Sequence, residues 1–326
     1  MATPLWGSGP SPIEEDIDIT VARYEPRFIQ FLRQFAASRT AVLGVVILTL
    51  LVLMAICAPL ITPGVTPTTA FHLQYLNFAE YGPTFDQFPA RLFGNTTGGA
   101  LFHYQSVLAG ITYSARLTLI IGALSAIFAT IIGTVLGVIS GYFGGWLDAV
   151  IMRFTDIVLA LPFLPLIIAI IIASNLDTLD APTLITIFAL VGWAGVARLV
   201  RATYLTLREQ EYAEAARATG VGHWRIAFRH LLPNAVAPIV VVTAANFAAF
   251  IIAEATVDFL DLGSSDLGGN DVQTWGNMIA QAQSYLLNGN WWWAFFPGFF
   301  ILLTVVAVNL VGEGLRDALD VRGHAR

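Results

Sequence analysis

Lysine is missing from these 326 residues, and all sixteen basic residues are arginine. The absence removes whole classes of chemistry. A P-loop needs a lysine on the β/γ-phosphates, and Schiff-base catalysis needs a lysine amine, so the chain is not by itself a P-loop ATPase. Cysteine is nearly absent too. Cys57 alone forms no intrachain disulfide, and its place in an apolar run marks it as a small packed group. The five histidines are scattered, without H-E-x-x-H or Cys/His ligand spacing, so no metal site is expected. Charge is scarce: 12% of residues are ionic and 56% hydrophobic, too few ionic groups to clothe a water-facing surface. The net charge of −6 is modest, and no nucleic-acid partner is expected.

What is present is long apolar sequence. Six runs approach or exceed the ~20 residues that cross a bilayer as helix. They lie at about Val42–Ile61, Leu117–Ile139, Ile157–Ala173, Leu184–Val200, Ala235–Ala255 and Trp293–Val311. The expected fold is an all-α polytopic transmembrane bundle of six spans. An arginine at the bilayer centre costs about 2.5–3.5 kcal/mol on insertion scales, and basic residues collect on the cytoplasmic side. With both termini inside, only Arg91 and Arg116 fall outside. The expected topology is therefore N-in, C-in. The chain then divides into a cytoplasmic segment 1–38, a first helix with a long extracytoplasmic loop over 39–116, and a core over 117–326. No cleaved signal peptide is expected, and the part of segment 1–38 nearest the membrane reads as a surface amphipathic helix or a solvated tail.

Several smaller features stand out. Gly133, Gly137 and Gly141 form an i,i+4 stripe suited to backbone-to-backbone helix packing. Asp148, Arg153 and Asp156 read as a cytoplasmic ion-pair cluster. Pro162 and Pro165 in the third span free backbone carbonyls and are candidates for the lining of a solute path. Glu254 is an intramembrane carboxylate and a third candidate. Trp291, Trp292 and Trp293 read as an interfacial aromatic belt. Asp258, Asp261, Asp266 and Asp271 read as an acidic outer loop.

The most informative stretch is REQEYAEAARATGVGHWRIAFRHLLP, from Arg208 to Pro233. Arginines place it in the cytoplasm between two spans. Alanines at 213, 215, 216 and 218 allow close approach of a partner. Arg208–Glu211 and Glu214–Arg217 are i,i+3 pairs worth ~0.2–0.5 kcal/mol each. Gly220 can end the helix in a left-handed cap, and Pro233 suits the first turn of the next span. A compact helical knob fixed to membrane helices suits docking to another protein.

The knob resembles the EAA signature of permease subunits of ATP-binding-cassette importers: EAA, three residues, Gly, nine residues, then Ile-x-Leu-Pro. Glu214, Ala215, Ala216, Gly220, Leu232 and Pro233 match, and His230 stands at the Ile position. The surrounding sequence is similar to the C-type permeases of dipeptide/oligopeptide/nickel importers, in Gly192–Gly220, Phe228–Asn234, Trp275–Met278, Ser284–Asn288, Phe295–Gly298 and Asn309–Arg322. Two departures fall on the outer side. Before the second span only Phe93–Thr96 and Ser114–Arg116 survive of the family's usual pattern, and SFLGLG becomes Asp258-Phe259-Leu260-Asp261-Leu262-Gly263 with an acidic insert after it.

The resemblance implies an alternating-access importer of di- or oligopeptides, the same machinery for a nickel chelate or an oligosaccharide being the alternative. An ion-driven secondary transporter is the rival from another class; it commonly shows internal repeats and mid-membrane charges, which are scarce here. A non-transporting membrane scaffold anchored to an ATPase is a further rival. The resemblance also implies a homologous second permease, two ATP-binding-cassette ATPase subunits and an extracytoplasmic solute-binding protein as partners, in the lipid bilayer of a bacterial or archaeal cytoplasmic (inner) membrane. ATP and Mg would sit on the ATPase subunits, with no cofactor and no catalytic residue on this chain. Coupling would fall to Glu211, Glu214, Ala215, Ala216, Arg217, Gly220, Val221 and Gly222, within a loop at about 202–233.

Overall fold

The computed structural model describes residues 27–61, 78–81, 95–98, 104–174, 179–260, 262–266, 273–287 and 289–319. Helices α1 (Arg27–Ala37), α2 (Arg39–Ile56) and α3 (Ala58–Ile61) come first. The segment nearest the membrane is thus helical. A three-stranded antiparallel sheet, β1 (Phe78–Tyr81), β2 (Asn95–Gly98) and β3 (Tyr104–Ser106), follows in the long segment after α3. The core then runs α4 (Val107–Phe143), α5 (Gly145–Ala160), α6 (Phe163–Ser174), β4 (Leu179–Asp180) and α7 (Ala181–Leu207). A short-helix region follows: α8 (Glu211–Ala218), α9 (His223–Arg225) and a π-helical segment, Ile226–Leu231. Helix α10 (Leu232–Phe259), β5 (Ser264–Asp266), α11 (Trp275–Leu286) and α12 (Trp292–Leu319) complete the chain. β4 and β5 pair in parallel.

Among the described residues five helical runs are long and apolar enough to cross a membrane: α2, α4, α7, His223–Phe259 and α12. The bent pair α5–α6 makes a sixth if it counts as one span. The lipid-like solvent shows in α2, which is apolar all round yet leaves Leu43, Leu50 and Ile56 53%, 60% and 63% exposed.

The third span departs from expectation. A continuous crossing over 157–173 does not form, because α5 and α6 meet at 92° across Leu161-Pro162. Proline's ring disfavours helical geometry at the preceding residue, and Leu161 is extended (φ −92°, ψ 135°). The 16 residues of α5 reach only ~24 Å at 1.5 Å per residue, short of the hydrocarbon thickness. By contrast α4, with 37 residues, reaches ~55 Å and begins ten residues before the expected start at 117. Arg116, expected in the outer loop, therefore lies within α4. It donates from Nε to the Ala55 carbonyl (2.6 Å) and from Nη2 to the Ile56 carbonyl (3.1 Å), capping the end of α2.

Three apolar clusters follow one another along α4. The first joins Val107, Ile111 and Ala115 to Ala55, Trp275, Met278 and Trp292. The middle one joins Leu117, Ile121 and Ala129 to Ile167, Phe188, Phe250 and Val257. The last joins Val138 to Val200, Tyr204, Ala213, Ile226 and Leu231. Gly133, Gly137 and Gly141 press α4 onto α7 as the stripe predicts. A Cβ added at each would lie 2.5 Å from the Trp193 carbonyl oxygen, 2.7 Å from that of Ala197 and 2.7 Å from Tyr204 Cβ.

The aromatic belt is only partly realised. Trp291 is exposed, whereas Trp292 and Trp293 are buried. Successive helical residues point ~100° apart, so three in a row cannot all face lipid.

Candidate coupling site

The knob begins where α7 ends. Arg208 caps α7 with its amide on the Tyr204 carbonyl, and Gln210 opens α8. Glu211 and Glu214 occupy the first turn of α8 and Arg217 the last, each on the end of the helix whose partial charge it opposes. The helix stops in a Schellman motif. Val221 N–H donates to the Ala216 carbonyl (3.2 Å), and Gly220 N–H to that of Arg217 (3.0 Å). Gly220 has φ +75°, the left-handed geometry glycine adopts without steric cost. Val221 and Ala216 both pack on the inner cluster, the apolar contact that accompanies the motif.

The knob is anchored from beneath. Ala213 is buried, and Ile226, Ala227 and Leu231 have no exposure. The fully buried Tyr204 donates its hydroxyl to the Ala227 carbonyl (3.0 Å). The Leu232 amide reaches the same carbonyl from five residues on, closing the π segment. Such segments are rare and concentrate at functional positions. Tyr142 Oη and His223 Nδ1 lie 3.0 Å apart, and Trp224 stacks on Phe228 and packs on Phe143. Pro233 sits in the first turn of α10.

The opposite side is open. Glu211, Glu214, Ala215, Arg217, Gly220 and Gly222 are exposed or partly so, while Ala216 and Val221 are half-buried against the inner cluster. The structure thus gathers all eight candidate coupling residues on one small element, six of them away from that cluster. The two i,i+3 ion pairs are not among the described contacts. Arg217 instead donates from Nε to the Ala213 carbonyl (3.3 Å) and from Nη2 to the Arg208 carbonyl, tying the knob to the end of α7.

The ion pairs also differ from expectation. Asp148 accepts from Arg201 Nε (2.5 Å) and Nη2 (2.6 Å), and Asp156 from Arg198 (2.5 Å). Arg153 joins neither pair; the partners come from α7, 42 and 53 residues away in sequence.

Pro162 and Pro165 are exposed at the α5–α6 corner. Glu254 is fully buried at the junction of α4, α10 and α11, where its Oε1 accepts from Thr118 (3.4 Å). Asp258, read in the sequence as an outer-loop carboxylate, is in α10 and has no exposure. Thr274 donates to Asp258, and Trp275 N–H donates to Thr118 Oγ1 (3.1 Å). The i,i+4 spacing from Glu254 was the signal for this pair. Gly276 meets α10 so closely that a Cβ there would be 2.6 Å from Ala255 Cα. Asp261, Asp271 and the outer motif at 93–94 lie outside the described residues.

Residues 133–322 match the family described as binding-protein-dependent transport system inner membrane component. The chain belongs to that family. Residues 27–77 also match the N-terminal transmembrane domain of oligopeptide transport permease C. The permease is 36% identical over 323 residues to the dipeptide transport system permease protein DppC of Alkalihalophilus pseudofirmus, covering 98% of this chain and 97% of the relative. It is 33% identical to a putative peptide transport system permease protein of Brucella suis, over 89% and 90% of the two chains. It is 32% identical to the dipeptide transport system permease protein DppC of Bacillus subtilis, over 88% and 83%. This permease is therefore a multi-pass inner-membrane translocation subunit of a binding-protein-dependent importer.

Proposed function

We propose that the chain is one of two homologous permeases of an ATP-binding-cassette importer for di- or oligopeptides, and that α8–α9 is the element through which two separate ATPase subunits drive it. The peptide reading is supported by relatives named as dipeptide or peptide transport permeases. The coupling reading is carried by one observation: the knob's inner side is buried against α4, α7 and α10 while six polar or small residues lie away from that contact. A knob mounted so firmly passes displacement to the membrane helices instead of deforming. Both termini and the knob are cytoplasmic in this reading, which keeps the arginines inside.

The cycle is alternating access. Closure of the ATPase pair on ATP drags the knob, α7 and α10 move with it, and the path opens toward an extracytoplasmic solute-binding protein. Hydrolysis resets it. The driving force is the different affinity of the two states for ATP; ATP and Mg2+ stay on the ATPase subunits, and this chain carries no cofactor.

Replacing Glu214 with Arg, and separately Gly220 with Trp, tests the coupling face. Glu214 is exposed, and its replacement should leave the fold intact. Gly220→Trp carries a conformational cost of about 1 kcal/mol at positive φ, but its Cβ meets nothing within 4 Å. Both variants should therefore still fold while ATPase association or solute-stimulated hydrolysis is lost. Normal assembly with undiminished uptake in reconstituted vesicles would refute the coupling role.

A further inference from the structure

One side of α10 faces an open cavity of about 500 Å³, lined by Leu199 of α7, Ala237, Pro238, Val241 and Ala245 of α10, and Arg316 of α12. Its volume falls in the range of small-molecule sites. The lining is apolar except at one end, where Arg316 lies in the last turn of α12. Arg316 is exposed and takes part in no ion pair among the described residues. Glu313 and Asp317, its sequence neighbours, line neither described cavity.

Pro238 adds a second polar feature. It lies inside α10 and has no N–H, so the carbonyl four residues back, at Asn234, loses its α-helical donor. Irregular backbone of this kind at membrane depth is tolerated where it faces protein or a water-filled path. The side chain of Asn234 donates to the His230 carbonyl (2.9 Å). Both polar features lie toward the knob end of α10, the cytoplasmic end in the topology adopted above.

A wall without hydrogen-bonding side chains holds a peptide backbone weakly and lets it pass. A guanidinium at one end recognises a carboxylate, and does so bidentately. We propose that this groove is a solute-contact site on the translocation path, in which Arg316 binds the carboxylate end of the solute as it leaves toward the cytoplasm. The site rests on the peptide-importer reading and refines it: a free terminal carboxylate is favoured over an amide at this step, independently of what the solute-binding protein selects.

The test uses the complete transporter carrying Val241→Cys with Cys57→Ser, and a membrane-impermeant maleimide. The thiol introduced on the groove wall should react, alanyl-alanine should slow the reaction, and alanyl-alanine amide should do so only at concentrations about five- to tenfold higher, a factor set by one partly exposed charge-assisted contact. Arg316→Gln should erase the difference between acid and amide, and Arg316→Lys should restore part of it. Failure of that thiol to react would show the groove sealed by lipid or by the second permease and would overturn the site. Equal protection by acid and amide with Arg316 intact would overturn it as well, and that comparison does not depend on how the Arg316 variants fold. Uptake of alanyl-alanine by the unaltered transporter in vesicles separates the two levels. Uptake without protection discards the groove alone, whereas absence of uptake for this and longer peptides discards the peptide reading and the groove with it.

Discussion

The seam between α4 and α7 and the seat of α10 are built in opposite ways. At the seam three glycines let backbones touch, with no room for a Cβ at 133, 137 or 141. Around α10 there is space on two sides. The 500 Å³ groove lies on one, and on the other a cavity of about 290 Å³ is lined by Ala123, Ala126, Val240, Ala244, Phe247 and Val308. Interiors packed to native density transmit strain, and loosely seated elements yield to it. In the cycle proposed above, α4 and α7 would move as one rigid frame, and α10 would move with them while keeping space to shift against it. The knob touches both, through Arg208–Arg217 on the α7 side and through the π segment on the α10 side.

Substitutions that add bulk should separate the two regions most sharply. Gly137→Leu drives a side chain into the Ala197 carbonyl and Val200. It should cost about 3 kcal/mol or more, with loss of the folded subunit in a thermal unfolding assay in detergent. Ala245→Val, which adds two methyl groups beside the open groove, should stay within about 0.5 kcal/mol. Equal losses at the two sites would erase the contrast between frame and seat.

The ion pairs between α5 and α7 sharpen it at smaller scale. The side chains of Arg201 and Asp148 are 31% and 19% exposed, and their contact is bidentate. Asp148→Asn should cost about 1–2 kcal/mol, discounted from a fully buried pair for that exposure. Arg198 and Asp156 are 54% and 56% exposed, so Asp156→Asn should cost under about 0.5 kcal/mol. Unfolding midpoints in low and high salt would distinguish them, since only the more exposed pair should be well screened. Gly220→Ala tests the knob. Nothing lies within 4 Å of the position of the added methyl, so its cost of about 1 kcal/mol is purely conformational.

What the sequence disclosed follows a physical line. The glycine stripe and the Schellman glycine at 220 are local patterns, set by spacing of 4 and by one residue's φ, and both were legible. The ends of α4 were not, since apolar sequence says where lipid can begin but not how far a helix projects beyond it. The α5–α6 corner hid inside a continuous apolar run, although Pro162 was there to mark it. Asp258 read as loop because the fifth apolar run closes near Ala255, and its burial shows only once Thr118, Thr274 and close-packed α11 stand around the pair. Arg201 and Arg198 could not be matched to Asp148 and Asp156 from sequence, because the partners meet only once α5 folds back on α7.

A pH-dependent effect lies at the opposite end of the frame. Asp180 caps α7, its Oδ1 accepting from the Thr183 amide at 3.1 Å. Hydrogen bonding from Thr183 holds the Asp180 carboxyl below the usual carboxylate range. A group whose folded-state value is lowered stabilises the fold above its unfolded value, and the gain fades as pH falls through the folded one. Asp180→Ala should therefore cost about 1 kcal/mol at neutral pH, Asp180→Asn close to nothing, because asparagine caps equally well. The cost of the alanine should shrink below the ordinary aspartate range, near pH 4 and lower. If the destabilisation by alanine is the same at pH 3 as at pH 7, the cap does not depend on the charge, and the neutral carboxyl accepts from Thr183 as well as the carboxylate does.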